Sequence, residues 1–533
     1  MSSADPSASH SEKNNGGDAV DPEAASVVPA GEKSQFMSFV KTLASFTGDL
    51  SQLTCPAFLL SGVSLLEYSA HWADHPDLFA AIAYERDPAD RMVAVTRWFL
   101  STLYGSFHSR CKTGTEKKPF NPVLGEQFYC SWPASAAAAG TASGAEPHVT
   151  TMTCEQVSHH PPVGAFHIAG AGGRVHLTGQ CGQKTKFKSA SIKVEQTGRA
   201  VLTVHPPTGP SGQGFGTPDE YFITLPEMVL RGLLTGQLFV ELQGKSSITS
   251  ASGYQAVFEY VPKGWFTGDY HTIKGHIAKL DLSSSPADDD DGDGGSAADP
   301  TLSASAAASA HAAKKKEKHA KRAAKKAKKM AGAGLQQILD SAEILYELSG
   351  KWTTQSIATR VEDGAEEVLF DADAHPMVVP TVKPLDEQGE LESRKLWGKV
   401  SASLIAGDYP TATATKSTIE DAQRALRKQR ADAAEGWAPK NFAFVTDAAG
   451  GGGLVSPGGD DIAGSVASLS LASSPSSSTA SPVGPASGGP QGPMRLSATT
   501  RAMLRALGTG AVAGVGNEML TDDGLWAYVG GSS

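Results

Sequence analysis

Cysteine is scarce. Five thiols in 533 residues, at Cys55, Cys111, Cys130, Cys154 and Cys181, make an odd, widely spaced set with no C-x-x-C pair. That pattern excludes a disulfide framework and argues against a thiolate zinc site. Long apolar runs are missing: no stretch approaches the ~18 residues of a membrane span. Basic excess is missing as well. With 46 Lys+Arg against 56 Asp+Glu the net charge is -10, so there is no global field for nucleic acid. The start, Met1-Ser-Ser-Ala-Asp-Pro, has neither a basic nor an apolar segment of a secretory signal. A soluble, cytosolic protein is expected. G-x-S-x-G, Walker A, H-E-x-x-H, C-x₅-R and a strand-linked G-x-G-x-x-G are all lacking. Neither an enzyme nor a metal or cofactor site is expected.

Gly and Pro are plentiful, 57 and 31, and much of the Gly falls in Ala/Ser-rich tracts that cannot bury enough apolar surface to fold. Three such tracts, 1–33, 281–334 and 446–500, are expected to be disordered. All eight Trp lie outside them, seven between Trp72 and Trp437, which places one large folded unit there. The middle tract joins an acidic run, Asp288–Asp291 and Asp293, to a block with ten Lys/Arg between Lys314 and Lys329. Such blocks are usually solvated, and attraction to anionic lipid is the alternative.

Phe36, Phe39, Val40, Leu43 and Phe46 fall on one face of a helix over 36–46, opposite Ser38, Lys41, Thr42 and Ser45. Spacing alone favours a core helix; a helix lying on loosely packed lipid shares the pattern. A second helix over 87–105, capped by Asp87 or Asp90, repeats Met92, Val95, Phe99 and Leu103 as a buried scaffold. From about 125 to 280 short alternating segments (165–168, 191–196, 200–205, 237–242, 255–261, 273–279) predict an antiparallel sheet, closed or nearly so. Strand texture returns at 343–352 and around 368–379, and 415–433 reads as a helix.

Three constellations could carry chemistry. In EKKPFNPVLGEQF, Glu116–Phe128, Pro119 and Pro122 stiffen a segment that holds Lys118 and Asn121 at a fixed offset. An ammonium and an amide suit a phosphate or a hydroxyl; an exposed stiff loop reads equally well. In EQVSHHPP, Glu155–Pro162, His159 and His160 point to opposite faces of an extended chain and cannot easily share a metal. They could donate to a phosphate, or one could be a buried structural histidine. Lys416, Glu420 and Arg424 lie within one arc of a helix. Their spacing favours an ion-pair ladder over a Glu orienting two cations toward an anion.

Taken together these residues resemble the oxysterol-binding protein family. EQVSHHPP is that family's fingerprint, KPFNPVLGE matches a second signature, KPLDEQGELESRKLW (Lys383–Trp397) a third, and Lys416/Glu420/Arg424 the spacing of a cationic helix. The resemblance runs from Phe36 to Asn441 around the middle tract, and is nearest to the short yeast-type members that consist of the lipid-binding domain alone. It implies a mainly β (α+β) fold: an incomplete antiparallel β-barrel around a hydrophobic tunnel, with an N-terminal helical lid and flanking helices. The domain would occupy 34–445, its lid about 34–55, leaving 501–533 unassigned.

The same resemblance implies function. Sterol and phosphatidylinositol 4-phosphate would compete for one tunnel and be exchanged between membranes, with no enzymatic step. The headgroup ligands would be Lys118, Asn121, His159, His160, Lys416 and Arg424, oriented by Glu420. Phe36 and the segment Leu50, Ser51, Gln52, Leu53, Thr54 would form lid contacts. Ser106, Phe107, Arg110, Cys181 and Gln196 align with the sterol end of the tunnel. The partners would be membrane lipids, not nucleic acid. The protein would be a cytoplasmic monomer, peripheral to Golgi or endoplasmic reticulum membranes. The alternatives are a phosphoinositide-sensing adaptor and a phosphatidylserine transporter without sterol binding.

Overall fold

The computed structural model describes residues 28–47, 50, 53–111, 116–133, 148–159, 161–207, 217–264, 268–281, 341–433, 437–445, 454–455 and 525–529. His160, Ser51, Gln52 and the tracts expected at 281–334 and 446–500 lie almost wholly outside these residues.

The first helix, α1 (Lys33–Ser45), begins three residues earlier than expected and buries Phe36, Val40 and Leu43. These are three of the five residues read as its apolar stripe; Phe39 and Phe46 are half-buried. Its cover is Phe58, Leu59, Leu233 and Leu238, with Tyr409 against the rim. A short strand β1 (Leu60–Ser64) follows, then a 3-10 stretch (Leu65–Ala73) and α2 (Pro76–Ala81).

Helix α3 (Pro88–Phe107) is capped by Asp87, whose carboxylate accepts from Ala89 N at 2.7 Å and Asp90 N at 3.2 Å. Pro88 at its first position needs no donor. Buried residues occur on nearly every side of α3, not along one stripe. Each of Met92, Val95, Trp98, Phe99 and Leu103, fully buried, adds roughly 1.5–3 kcal/mol.

Strand β2 (Lys118–Phe120) pairs in parallel with β1. A sheet then accumulates in near-sequential order: β3 (Gln127–Trp132), β4 (Thr150–His159), β5 (Pro162–Gly170), β6 (Val175–Lys188), β7 (Ser191–Gln196), β8 (Arg199–Val204), β9 (Asp219–Thr224), β10 (Glu227–Arg231), β11 (Phe239–Ser250), β12 (Tyr254–Val261), β13 (Thr272–Lys279), β14 (Glu343–Lys351), β15 (Gln355–Arg360) and β16 (Glu366–Asp371). All fourteen belong to one antiparallel sheet. Two of its lanes are broken strands. β7 and β8 succeed one another along β6, and β10 and β9 along β11. The second break contains Pro226, which cannot donate to a ladder. Gln196 Nε2 donates to Pro226 O at 2.7 Å and pins the breaks together.

The sheet curls around α3. Trp72, which meets Phe99 at 6.3 Å, stacks on Phe166 of β5, and Phe99 meets Phe258 of β12 at 5.0 Å, so both arms of the sheet reach one helix. The edges β3 and β16 are bridged by irregular chain. After β16 the backbone crosses the gap, where Ser131 and Thr381 exchange hydrogen bonds of 2.9 and 2.7 Å and Gln127 N donates to Leu391 O. This is a mainly β fold: a large, partly ringed antiparallel sheet with a few helices. The strand expected around 368–379 ends at Asp371. Its carboxylate accepts from Asp373 N and Ala374 N and turns the chain, and Pro376 and Pro380 prevent a ladder beyond.

Two helices close the fold, α4 (Ser393–Ile405) and α5 (Tyr409–Asp432). They pack on β1 and β2 through Trp397, Val400 and Ala412. A three-stranded sheet is added at the C-terminal side: β17 (Phe442–Val445), at the end of the expected domain, pairs with β18 (Leu454–Val455), inside the tract expected to be disordered, and with β19 (Leu525–Tyr528), in the segment left unassigned.

Candidate functional site

The stiff segment after β2 is held from inside by Glu126. This buried carboxylate accepts from Val123 N at 3.0 Å, Ser393 Oγ at 2.7 Å, Trp397 Nε1 at 3.0 Å, and Ser64 Oγ. Burial raises its pKa and these four donors oppose the rise. Phe120 stacks on Trp397 at 4.7 Å. Three distant segments (β1, the loop after β2, and α4) are thereby fixed to one group, and Lys118 and Asn121 sit on the outer side of that assembly.

The histidine hairpin is joined to the same loop. Gly125 N donates to Gln156 O at 2.9 Å and Gln156 N to Glu126 O at 2.8 Å. Gly125 has φ +80, a conformation that glycine adopts without strain. Glu155 is a second buried carboxylate: it accepts from Lys440 N and Asn441 N, both at 2.7 Å, and from Asn441 Nδ2 at 3.1 Å. Burial raises its pKa against those bonds. His159 closes β4 opposite Pro162.

Cations of two motifs act on Cys55, between α1 and β1. Lys118, Lys416 and Glu420 act on one another, and Lys118 and Lys416 both act on the Cys55 thiol. Burial pushes that thiol up to about 11, and the two ammonium groups oppose the rise. Lys118 is open to solvent as a residue, yet surrounding protein desolvates its ammonium and lowers its pKa. Lys416 is paired with Glu420. Arg424 is more exposed; it lies 3.8 Å from Glu420 and is paired with Asp421. Two lysines that both act on the Cys55 thiol concentrate positive charge there, which suits a phosphate. Among the described residues no group of three or more His, Cys, Asp or Glu could hold a metal ion.

The oxysterol-binding protein family model matches residues 36–287. Protein kes1 of Schizosaccharomyces pombe is 36% identical over 414 residues, which cover 77% of this chain and 87% of that protein. Protein KES1 of Mycosarcoma maydis is 35% identical over 409 residues, 76% of this chain and 87% of that protein. The chain belongs to the oxysterol-binding protein family. Its fold is also similar to the Osh1 ORD domain solved in complex with cholesterol: TM-score 0.52, 18% identity, covering 76% of this chain and 83% of that one. The ORD structure with ergosterol has a TM-score of 0.51.

In this member of the family the lid candidates divide. Phe36 and Leu50 are buried and Thr54 is exposed, while Leu53 N closes a turn on Leu50 O at 3.0 Å. The candidates for the sterol end come from two places. At the end of α3, Phe107 meets Trp352 edge-on at 6.4 Å. Arg110 donates to Gly105 O and Ser106 O at 2.9 Å, lies 3.2 Å from Glu116, and covers the Tyr68 ring at 4.5 Å. Its guanidinium caps the helix C-terminus, where a cation is favoured. On the sheet, Cys181 is opposite Gly164, its thiol raised to about 11 by burial, and the Gln196 amide is bonded to Pro226.

The sequence motifs contain Glu126, Glu155, Ser393 and Trp397 without showing their roles, and Trp526 stands outside every motif. Both acids are held by neutral donors, most of them from residues far along the chain.

Proposed function

We propose that this chain is a non-enzymatic lipid-transfer protein that binds sterol and, in competition, phosphatidylinositol 4-phosphate, and exchanges them between membranes. The observation that carries the reading is that Lys118 and Lys416, from two separate motifs, both act on the Cys55 thiol at the end of the proposed lid. The headgroup phosphate would sit between these ammonium groups, with Asn121, His159, His160 and Arg424 around it and Glu420 orienting Lys416. The acyl chains or a sterol would lie beneath α1, within the curled sheet. Closing a lid over them removes apolar surface from water, at ~0.8 kcal/mol per buried CH₂. The solved Osh1 domain holds cholesterol or ergosterol, which supports sterol as a cargo. We take the lipid-binding domain as 34–445 and the protein as a monomer, cytoplasmic and peripheral to Golgi or endoplasmic reticulum membranes. No described helix is long and apolar enough to cross a membrane.

A second reading, a phosphoinositide carrier whose other cargo is a phospholipid, is favoured by Arg110 and Gln196. The donors that would meet a sterol hydroxyl already bond to backbone carbonyls. Extraction from mixed vesicles, followed by mass spectrometry of the bound lipid, decides. Sterol and phosphatidylinositol 4-phosphate displacing one another supports exchange. A bound phospholipid with no sterol supports the second reading, and no bound lipid overturns both.

A further inference from the structure

The histidine hairpin is irregular at its tip. Its ladder is interrupted where the register shifts between Gln156 and Ser158, leaving Val157 in a bulge. Pro161 and Pro162 supply no N–H, so the strand opposite His159 cannot donate to it. Within the tip, Ser158 Oγ donates to Pro161 O at 2.7 Å and Gln156 Nε2 to Ser158 O at 2.9 Å. The hairpin is also held from outside.

The C-terminal sheet occupies that place. Val157 and Ala165, on the outer face of β4 and β5, are buried in a cluster with Phe442 of β17 and Trp526 of β19. Trp526 N donates to Gln180 Oε1 at 3.4 Å, and its ring meets Phe444 at 5.1 Å. Two residues further, Tyr528 stacks on His167 at 4.4 Å and 5°. From the β17 side, Asn441 grips Glu155 through backbone and amide, and its amide also reaches Tyr129 Oη at 3.0 Å. The bulged residue two before His159 is thus covered by Trp526, and the residue four before it is tied to Asn441. The chain leaves the described residues after Val455 and returns at Leu525, so strand β19 is supplied to this face from a remote part of the sequence.

We propose that Trp526 and Asn441 are positioning residues of the phosphoinositide site. They clamp the outer face of the β4–β5 hairpin and fix the direction in which His159 is presented, without touching lipid. The inference rests on the headgroup reading above.

The test uses the full chain and phosphatidylcholine vesicles containing sterol, phosphatidylinositol 4-phosphate, or both. Trp526→Ala should lower phosphatidylinositol 4-phosphate extraction by about tenfold, the factor equivalent to ~1.4 kcal/mol, and leave sterol extraction unchanged. Trp526→Phe, which refills most of the cluster, should restore it. Hydrogen exchange of residues 155–163 in the lipid-free protein should quicken in Trp526→Ala and recover in Trp526→Phe. If Trp526→Ala does not fold, Asn441→Ala takes its place, because it removes only the amide bonds. Normal extraction with normal hairpin exchange in a folded variant overturns the inference, as does equal loss of both lipids without rescue. A wild-type chain that extracts sterol but no phosphatidylinositol 4-phosphate overturns the headgroup reading instead, and the exchange rates still judge the clamp.

Discussion

Trp397 donates its indole N–H to Glu126 Oε2 at 3.0 Å across 271 positions of sequence. The bond joins the loop that carries Lys118 and Asn121 to the helix that leads into α5, the carrier of Lys416. A buried carboxylate surrounded by four neutral donors holds the two halves of the cationic site in one frame.

Glu126→Ala should destabilise the fold by roughly 2–6 kcal/mol. It strands the Val123 and Trp397 N–H groups, each at about 1–3 kcal/mol, whereas the Ser64 and Ser393 hydroxyls can rotate. Glu126→Gln should cost much less. Its carbonyl can accept from the two N–H groups while its amide donates to the two hydroxyls. Urea unfolding checks this, and equal losses in both variants would refute the hub.

Lys118→Ala and Lys416→Ala should each weaken phosphatidylinositol 4-phosphate binding by about 1.5–3 kcal/mol, the range for bonds to charged groups. Glu420→Ala should cost less, because it orients Lys416. Desolvation lowers the Lys118 pKa, so headgroup affinity should fall with alkaline pH sooner than for an ordinary lysine. Titration of vesicle binding against pH, in wild type and Lys118→Arg, reads this. An arginine does not discharge in that range, so the early fall due to Lys118 should be absent from its profile.

His167 is buried under Tyr528 beside His176, and burial pushes its pKa down to about 3. Its lowered folded pKa means that the unfolded chain binds the extra proton first. This contribution to stability is therefore whole above the ordinary value of 6.5 and is lost as pH falls from there toward about 3. The His176 pKa is lowered in the same sense, chiefly by burial. His167→Phe keeps a ring under Tyr528 but does not titrate. It should be less stable than wild type at neutral pH, having lost the 2.8 Å contact with Thr178, and should lose less on acidification. Urea midpoints across that pH range compare the two slopes; identical slopes would count against the buried histidine.

Phe36 is 3% exposed in the cluster beneath α1. Phe36→Asp places a charge among Phe58, Leu233 and Leu238, which is costly without a partner. Helix α1 should detach while the sheet stays folded. Dissociation of a fluorescent sterol should then be faster than from wild type; an unchanged rate would mean that α1 does not retain lipid.

The sequence by itself determined the local elements. Phe36, Val40 and Leu43 mark the buried stripe of α1, Asp87 the start of α3, and alternation the strands β5, β7, β8 and β11 to β14, because each is a matter of period and of neighbours a few residues away. The motifs named the family because Lys118, His159 and Lys416 stand in short runs whose order along the chain can be read together. Only the tertiary structure decided how those runs meet. Periodicity says nothing of where α4 lands, so Trp397 and Ser393 could not be assigned to Glu126. Four residues from Leu525 to Tyr528 are too few to show a pattern, and their pairing with β17 depends on backbone groups that every residue carries. Buried carboxylates need partners, and in this fold the partners of Glu126 and Glu155 come largely from chain hundreds of residues away.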